Sequence, residues 1–283
     1  MSAFITTRAG VLALVFAISA SGGNAYAAAS ALPDGLSLPA DNRSSNMLEP
    51  FGLATSALGD SPLRAKWLEV ERAIADEAGI IANCESDPSH CDSRPALRFL
   101  EIVKAGASRE GLSRLGEINR AVNLAIRPVS DRAQYGVEDH WASPLATFAS
   151  GAGDCEDYAI AKLIALRAAG VAAEDLRLVV IRETTTGEDH AVVTARADGH
   201  WRVLDNRTFV MIEDVDLNKY RPLFAIDADG AKRFEQPTLA QAAGNTQEQP
   251  TGTESRDPAA GAPAIGPSAQ AGASDDFAIN IAM

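Results

Sequence analysis

The sequence predicts an α+β fold, in which a helical first half precedes a sheet. Apolar residues recur at helical spacing between residues 61 and 127. From residue 176 onward, short segments rich in β-branched residues alternate with turn residues. Beyond residue 236 the composition shifts to Ala, Gly, Pro, Ser, Gln and Thr. A run of helices followed by a run of strands is typical of the α+β class.

The helical half begins at a cap signal. Ser61 is a typical N-cap residue, and Pro62 suits the first helical position. Apolar residues then follow at helical spacing, namely Leu63, Trp67, Val70, Ile74 and Ile81. Residues 94–105 and 112–126 repeat this pattern, so we expect three helices whose apolar stripes form a core. Residues 128–150 are expected to form a loop.

The second half changes its period from helical to extended. A short helix is expected after Asp154, and Gly170 ends it. Three segments are predicted to be strands, at residues 176–182, 191–197 and 201–204. Residues 209–212 are a candidate fourth strand.

The first 27 residues resemble a secretory signal peptide. Arg8 precedes a short apolar core, and the motif Ala25-Tyr26-Ala27 is a cleavage site. The alternative is a buried N-terminal helix. Because a signal peptide directs export, we expect a periplasmic protein. Its formal net charge of −13 argues against nucleic acid and anionic lipid as partners.

The rest of the chain divides into three parts. Residues 28–60 are expected to be a poorly ordered leader. Residues 61–236 form the predicted folded domain. Residues 237–283 are expected to be a disordered tail, because they cannot bury enough apolar surface to offset the entropy of ordering. No segment beyond the signal is apolar enough to cross a membrane.

The chain has three cysteines, and export implies an oxidising compartment. Cys84 and Cys91 bracket a short polar segment that Pro88 can turn, so they are the natural disulfide pair. Cys155 is then unpaired, and an unpaired thiol in an exported protein indicates reactivity. The alternative is a buried, inert cysteine.

Cys155 lies in a segment suited to a nucleophile, Gly151-Ala-Gly-Asp-Cys-Glu-Asp-Tyr158. The glycines permit a tight turn, and Asp154 is a good N-cap, which puts Cys155 in the first helical turn. The partial positive charge of a helix N-terminus favours thiolate over thiol. Its free N–H groups can also donate to the oxyanion of a tetrahedral intermediate.

A base must accompany the thiol, and the chain has four histidines, His90, His140, His190 and His200. His190 opens a predicted strand, and Asp198-Gly199 signals a two-residue hairpin. If Ala197 pairs with His200, Asp205 becomes a diagonal neighbour of His190 on the same sheet face. A carboxylate there would orient the imidazole. The alternative is a strand-end histidine and an unrelated turn aspartate, and a β-bulge would break the parity.

Three acids flank the thiol, and they oppose its activation. Asp154, Glu156 and Asp157 should raise the pKa of Cys155 unless they point away or are neutralised. Hard oxygen ligands clustered in this way suit Ca²⁺. The alternative is that acids in a first helical turn only complement the helix dipole.

These motifs, in this order and spacing, resemble the bacterial transglutaminase-like cysteine proteinases, which include the LapG-type periplasmic proteases. The segments that carry the resemblance are 151–158, Asp189-His190-Ala191-Val192 and Val203-Leu204-Asp205-Asn206. The resemblance implies a papain/transglutaminase-like fold, with the nucleophile helix packed on an antiparallel sheet. It also implies a catalytic triad of Cys155, His190 and Asp205.

The resemblance has further implications for ligands and partners. In LapG-type members the acids beside the nucleophile bind calcium, which here implies Asp154, Glu156 and Asp157 as ligands. Those members cleave the N-terminal region of large surface adhesins, and an inner-membrane cyclic di-GMP receptor sequesters them to control biofilm release. This chain departs from their pattern in its Cys84–Cys91 pair and its long C-terminal tail.

The leading expectation is therefore a periplasmic cysteine endopeptidase. Two alternatives stay open from the residues alone. The same triad would serve acyl transfer to an amine, as in a transglutaminase or deamidase, because only the acceptor differs. The chain could also be a binding module with a vestigial triad.

Overall fold

The computed structural model describes residues 49–236. The predicted signal peptide (1–27), most of the predicted leader and the predicted tail (237–283) lie outside the described residues. Among the helices of residues 49–236, none has the length and apolar character needed to span a membrane.

The helical half follows the predicted pattern closely. The described α-helices are α1 (Pro62–Ser86), α2 (Arg94–Ala107), α3 (Gly111–Ala125), α4 (Asp131–Gln134), α5 (Pro144–Ser150) and α6 (Cys155–Ala168). The predicted cap of α1 is confirmed, because the Ser61 side chain accepts a hydrogen bond from the Arg64 N–H at 3.2 Å. The end of α6 is also confirmed, since Gly170 has a φ of +90°.

The second half is an antiparallel sheet. Its strands are β1 (Thr55–Ala57), β4 (Leu176–Glu183), β5 (Asp189–Ala197), β6 (His200–Leu204), β7 (Ile212–Glu213), β8 (Tyr220–Asp227) and β9 (Gly230–Phe234), in the order β1-β9-β8-β4-β5-β6-β7. A separate parallel pair joins β2 (Arg127–Pro128) to β3 (Ala152–Gly153). The predicted α+β class, with helices before a sheet, is therefore confirmed.

The two faces of the sheet are buried in different cores. Leu178 and Val180 of β4 pack in the large core that contains α6 and the other helices. Val179 and Ile181 point to the opposite face, where Phe51 is among the residues that cover them. Because successive strand residues point to opposite faces, a central strand covered on both sides is apolar throughout.

The disulfide prediction is confirmed. Cys84 and Cys91 are bonded, with their Cα atoms 4.7 Å apart. The bond links the C-terminal turn of α1 to the segment before α2. Cys155 is the remaining cysteine of the chain, and it is free.

The loop predicted for residues 128–150 is wrong in part, because it contains α4 and α5. These helices are too short for a helical period to emerge from the sequence. Tertiary contacts define α5 instead. The Glu77 side chain, from α1, accepts hydrogen bonds from the Ser143 hydroxyl and the Leu145 N–H at the start of α5.

The strand predictions also need three corrections. The candidate strand at 209–212 is reduced to β7, since Phe209 and Val210 are exposed outside any strand. Strands β8 and β9 were not predicted. Pro222 of β8 lies at a register shift against β4, which is where a strand tolerates proline. The leader predicted for 28–60 contributes β1, which pairs with β9.

Candidate active site

The nucleophile candidate lies where the parallel strand pair meets α6. Strand β3 is followed, after the single residue Asp154, by α6, and Cys155 is the first residue of α6. A Cβ at Gly153 would lie 2.7 Å from the Cβ of Asp157, closer than real Cβ atoms approach. Gly153 therefore lets the chain pass tightly against the first turn of α6. Cys155 itself is only 2% exposed.

Asp154 occupies the predicted N-cap position but does not cap the helix. Its side chain makes no capping hydrogen bond. Instead, Asp154 Oδ2 accepts a hydrogen bond from the Asp131 N–H at 3.2 Å. The cap prediction is wrong because a residue 23 positions upstream in the chain competes for the carboxylate.

The hairpin register that was predicted for His190 and Asp205 is confirmed. Ala197 pairs with His200, and the ladder continues to Val193 and Leu204. Asp205 follows β6 directly, and its Oδ1 lies 2.8 Å from Nε2 of His190. The Asp205 carboxylate also accepts the Arg207 N–H at 3.0 Å.

The Asp205 carboxyl is held in its ionised form. Burial raises its pKa, but the hydrogen bond and charge of His190, the Arg207 N–H and the charge of Lys162 outweigh burial, so the pKa is lowered overall. A carboxylate only accepts hydrogen bonds, so Nε2 of His190 carries the proton. The other ring nitrogen, Nδ1, is buried and has no hydrogen-bond partner among the described residues.

The thiol and the histidine are neighbours across the helix–sheet interface. The N–H of Ala191, the residue after His190, donates to Cys155 Sγ at 3.4 Å. The structure thus brings the three predicted catalytic residues together from α6, β5 and the end of β6. A thiol, an imidazole with a free nitrogen and an orienting carboxylate are the components of nucleophilic acyl chemistry.

The acids beside Cys155 are buried rather than turned to solvent. Glu156 and Asp157 have no exposed surface, and Asp154 is 2% exposed. Burial, then the charge of Glu156, raise the pKa of the Cys155 thiol well above its ordinary value. The Sγ–H donates to Glu156 Oε2 at 3.3 Å. Without a cation, desolvation and carboxylate charge thus outweigh the activation expected from the helix N-terminus.

A fourth acid, Asp131, joins this cluster from α4. Asp131, Asp154 and Glu156 each offer a carboxylate oxygen, and these oxygens lie within 4.8 Å of one another. Asp157 is not in this group, and its Oδ1 accepts the Ala142 N–H at 2.8 Å. Burial raises the pKa of Asp131 to about 6 and that of Asp157 to about 8.

The cluster fits a divalent cation by its unpaired oxygens. Each of the four acids has one buried carboxylate oxygen with no hydrogen-bond partner within residues 49–236, namely Asp131 Oδ1, Asp154 Oδ1, Glu156 Oε1 and Asp157 Oδ2. A buried carboxylate oxygen without a partner is costly, and hard oxygen ligands are those that Ca²⁺ prefers. Sequence spacing gave no signal for Asp131, because only tertiary folding brings it beside Asp154.

Two further polar residues near Asp205 were not anticipated. The Asn123 side chain, from α3, donates to the carbonyls of Asp205 at 2.9 Å and Thr208 at 3.1 Å, so it holds the turn after β6. Lys162, from α6, is fully buried and donates to the Leu204 carbonyl at 3.3 Å. Asn123 and Lys162 lie within helical stripes, where the sequence pattern suggests only core packing.

Comparison with known proteins decides the family. The family model for bacterial transglutaminase-like cysteine proteinases matches residues 71–223, more than half of the chain. The chain belongs to this family. The predicted resemblance is therefore confirmed, and the transglutaminase-like proteinase is a cysteine peptidase whose substrate is expected to be a protein.

Solved structures give more distant similarities to this proteinase. The calcium-bound LapG of Legionella pneumophila is 22% identical, with a TM-score of 0.46 over 57% of this chain and 91% of that chain. An EGTA-treated form of the same protein is 22% identical, with a TM-score of 0.45 over 55% of this chain and 83% of that chain. A transglutaminase crystal structure is 14% identical, with a TM-score of 0.31 over 49% of this chain and 39% of that chain. The curated proteins contain no match.

Proposed function

We propose that Cys155, His190 and Asp205 are the catalytic triad of an exported, calcium-dependent cysteine endopeptidase. The observation that carries the proposal is the partly buried pair of His190 Nε2 and Asp205 Oδ1, 2.8 Å apart, on a hairpin in which the Ala191 N–H donates to Cys155 Sγ. This arrangement leaves His190 Nδ1 without a partner in the described range 49–236, on a ring whose orientation is already set by Asp205. Such a ring is pre-organised to accept a thiol proton.

In the proposed mechanism, the Cys155 thiol transfers its proton to His190 Nδ1, and the sulfur attacks the carbonyl carbon of the scissile peptide bond. His190 then gives this proton to the departing amine, which leaves a thioester on Cys155. Water loses a proton to His190, hydrolyses the thioester and restores the thiol. Asp205 accepts the Nε2 hydrogen bond throughout and stabilises the imidazolium.

The first turn of α6 has a second role in this proposal. The backbone N–H groups at a helix N-terminus have no partners within the helix, and they carry a partial positive charge. Cys155 is the first residue of α6, so these donors lie beside the sulfur. They would stabilise the oxyanion that forms when the sulfur adds to the carbonyl.

Asp131, Asp154 and Glu156 are the proposed calcium ligands, and the free Oδ2 of Asp157 is the remaining candidate. The support is the group of carboxylate oxygens within 4.8 Å and the four buried oxygens that lack partners among residues 49–236. Bound Ca²⁺ would neutralise the carboxylate charge that raises the pKa of the Cys155 thiol. Calcium dependence would thus link the metal to the nucleophile rather than only to stability.

Export to the periplasm completes the proposal for the domain organisation. The signal-like residues 1–27 would be removed, followed by a leader, the catalytic domain predicted at 61–236 and the tail at 237–283. The Cys84–Cys91 disulfide supports an oxidising compartment. The resemblance to LapG-type proteases supports a surface adhesin as substrate and an inner-membrane cyclic di-GMP receptor as regulator.

The proposal is tested by comparing new protein N-termini in cells that express the wild-type chain or the Cys155→Ala variant. We expect wild-type cells alone to show cleavage of a surface protein near its N-terminal region. The purified variant should keep the wild-type melting temperature, because Cys→Ala removes little volume from the site. Full proteolysis by Cys155→Ala would overturn the triad.

Two added measurements separate the neighbouring possibilities. Incubation of the purified protein with the captured substrate and a labelled amine distinguishes hydrolysis from acyl transfer, and incorporation without cleavage would contradict the endopeptidase proposal. Deleting the gene for a cyclic di-GMP receptor should release cleavage activity if that receptor sequesters the protein. Unchanged cleavage would reject the receptor as partner.

A further inference from the structure

Lys162 is a buried cation that the proposed mechanism does not use. Its side chain has no exposed surface. The structure records one hydrogen bond for its ammonium group among residues 49–236, which is donated to the Leu204 carbonyl at 3.3 Å. No carboxylate of the described residues lies within ion-pair distance of it. A lysine in this state is costly to bury, so an apolar residue would be expected if packing were its only role.

The position of Lys162 on α6 connects it to the active site. It lies seven residues after Cys155, which is close to two helical turns, so both side chains project from the same side of the helix. That side faces β5 and the end of β6. Leu204, which accepts the Lys162 hydrogen bond, directly precedes Asp205.

We infer that Lys162 is a positioning residue for the peptidase reaction, as the buried positive charge that keeps the Asp205 turn aligned with His190 and balances the charge of the triad. The inference rests on the proposed triad and adds a fourth group to it. In the thiolate–imidazolium state, Cys155, His190 and Asp205 carry a net charge of −1. The Lys162 ammonium brings the buried set to neutrality, which lowers the cost of holding it in a low-dielectric interior.

The electrostatic surroundings of Lys162 agree with this role. Burial lowers the pKa of Lys162 to about 7, and the charge of Asp205 opposes this shift. Among the charged groups of residues 49–236, Asp205 is the one that acts on Lys162. The other titratable neighbours are His190, hydrogen-bonded to Asp205 from β5, and Tyr158 on α6 itself, whose ring centroid lies 6.0 Å from Nζ. On α3, Asn123 holds the Asp205 turn and does not titrate.

The charge and the hydrogen bond of Lys162 can be separated by two variants. K162M removes both the charge and the donor, whereas K162Q keeps a donor for the Leu204 carbonyl without the charge. Leu166→Met is a matched control, because Leu166 is also a fully buried residue of α6 and the change leaves charge unaltered. Turnover of p-nitrophenyl acetate, corrected for the Cys155→Ala background, is the probe at saturating Ca²⁺ between pH 5.5 and 9.

We expect kcat of K162M and K162Q to fall about tenfold at pH 6 with KM within about twofold of the wild type, because the thiolate–imidazolium state of the triad, with its net charge of −1, loses the positive charge that balances it. The ratio of wild-type to variant kcat should approach one above pH 8, where wild-type Lys162 is also uncharged. Taking the ratio cancels titrations common to both proteins. Leu166→Met should give a ratio near one at every pH.

Several outcomes would overturn the inference. A kcat ratio that does not change with pH, or K162M turnover within twofold of the wild type at pH 6, would leave Lys162 with a packing role only. Unfolding of both variants would make it a structural residue, because the inference expects their melting temperatures to equal or exceed the wild-type value. Absence of Cys155-dependent turnover in the wild type would instead reject the triad itself.

Discussion

Two aspartates of this domain show how neighbours set the chemistry of one residue type. Asp205 and Asp157 are both largely buried, and burial raises the pKa of each. Asp205 receives hydrogen bonds from His190 and Arg207, so its pKa is lowered overall. Asp157 accepts the Ala142 N–H at one oxygen and, within the part of the chain that the structure describes, has no partner at the other, and its pKa rises to about 8. The first suits a permanently charged orienting group, and the second suits a cation ligand.

The orienting role of Asp205 is testable by Asp205→Asn. The amide cannot stabilise the His190 imidazolium by charge, and it can present a donor to Nε2 in place of an acceptor. We expect kcat to fall about 10²- to 10⁴-fold with little change in fold. The measurement is Cys155-dependent proteolysis together with the melting temperature. Asp198→Asn, at the exposed hairpin turn, is the matched control and should keep wild-type activity. Equal activity of the two variants would argue against an orienting carboxylate.

At the scale of elements, the site depends on one helix meeting one hairpin. Helix α6 carries the thiol at its first residue, and the β5–β6 hairpin carries the histidine and the carboxylate. The parallel pair β2–β3 lies immediately before the start of α6 and positions it. The close approach at Gly153 sets the position of the first turn of α6, and hence of Cys155, because Asp157 of that turn packs directly on the glycine.

Gly153→Ala should therefore displace the helix start. The added Cβ would meet the Asp157 Cβ at 2.7 Å, so the first turn of α6 must shift. We expect a loss of about 1–3 kcal/mol in the free energy of unfolding, as for other overpacked sites, and a larger proportional loss of activity. Urea unfolding and proteolysis measure the two effects. The control is Gly79→Ala in α1, where no atom lies within 4 Å of the added Cβ and alanine favours the helix. A neutral Gly153→Ala would show that the close approach is not required.

At the scale of the whole molecule, an acidic chain concentrates part of its charge in its interior. The formal net charge is −13, and four buried acids surround the nucleophile. Burial raises the pKa of each of these acids, so without a cation they bind protons more readily than exposed carboxyls do. The proposed calcium binding would therefore couple folding stability to nucleophile activation in this domain.

The proposed coupling predicts that, without calcium, the stability of the folded domain falls as pH rises. Folded pKa values of about 6 for Asp131 and about 8 for Asp157 exceed the ordinary value of 3.8, so the folded state binds more protons than the unfolded state between these limits. In EGTA, the melting temperature should fall as pH rises from 4 to 8, because that proton-linked stability is lost through the folded pKa values. Excess Ca²⁺ should restore the melting temperature most strongly at pH 8.

Asp157→Asn provides the control for this titration. The amide oxygen can still accept the Ala142 N–H, but the residue no longer titrates. In EGTA the variant should lose part of the decline between pH 6 and 8. A wild-type melting temperature that is indifferent to both EGTA and pH would mean that the acids act only as helix-dipole partners.

The local features of this protein were determined by its sequence alone. The cap of α1, the three long helices and the turn at Asp198-Gly199 depend on residues close together in the chain. The hairpin turn also set the register that brings Asp205 to His190, because strand pairing propagates residue by residue from the turn. The disulfide and the free thiol followed from cysteine spacing.

Only the tertiary structure decided which distant residues complete the site. Asp131 reaches Asp154 across 23 positions, and Asn123 reaches Asp205 across 82. Lys162 lies in a helical stripe whose pattern indicates core packing, and only the tertiary structure shows that its charge interacts with that of Asp205. Strand β1 likewise acquires its pairing from β9, near the other end of the domain. A periodic pattern records which face of an element is buried, but the partner that covers this face is chosen by long-range packing.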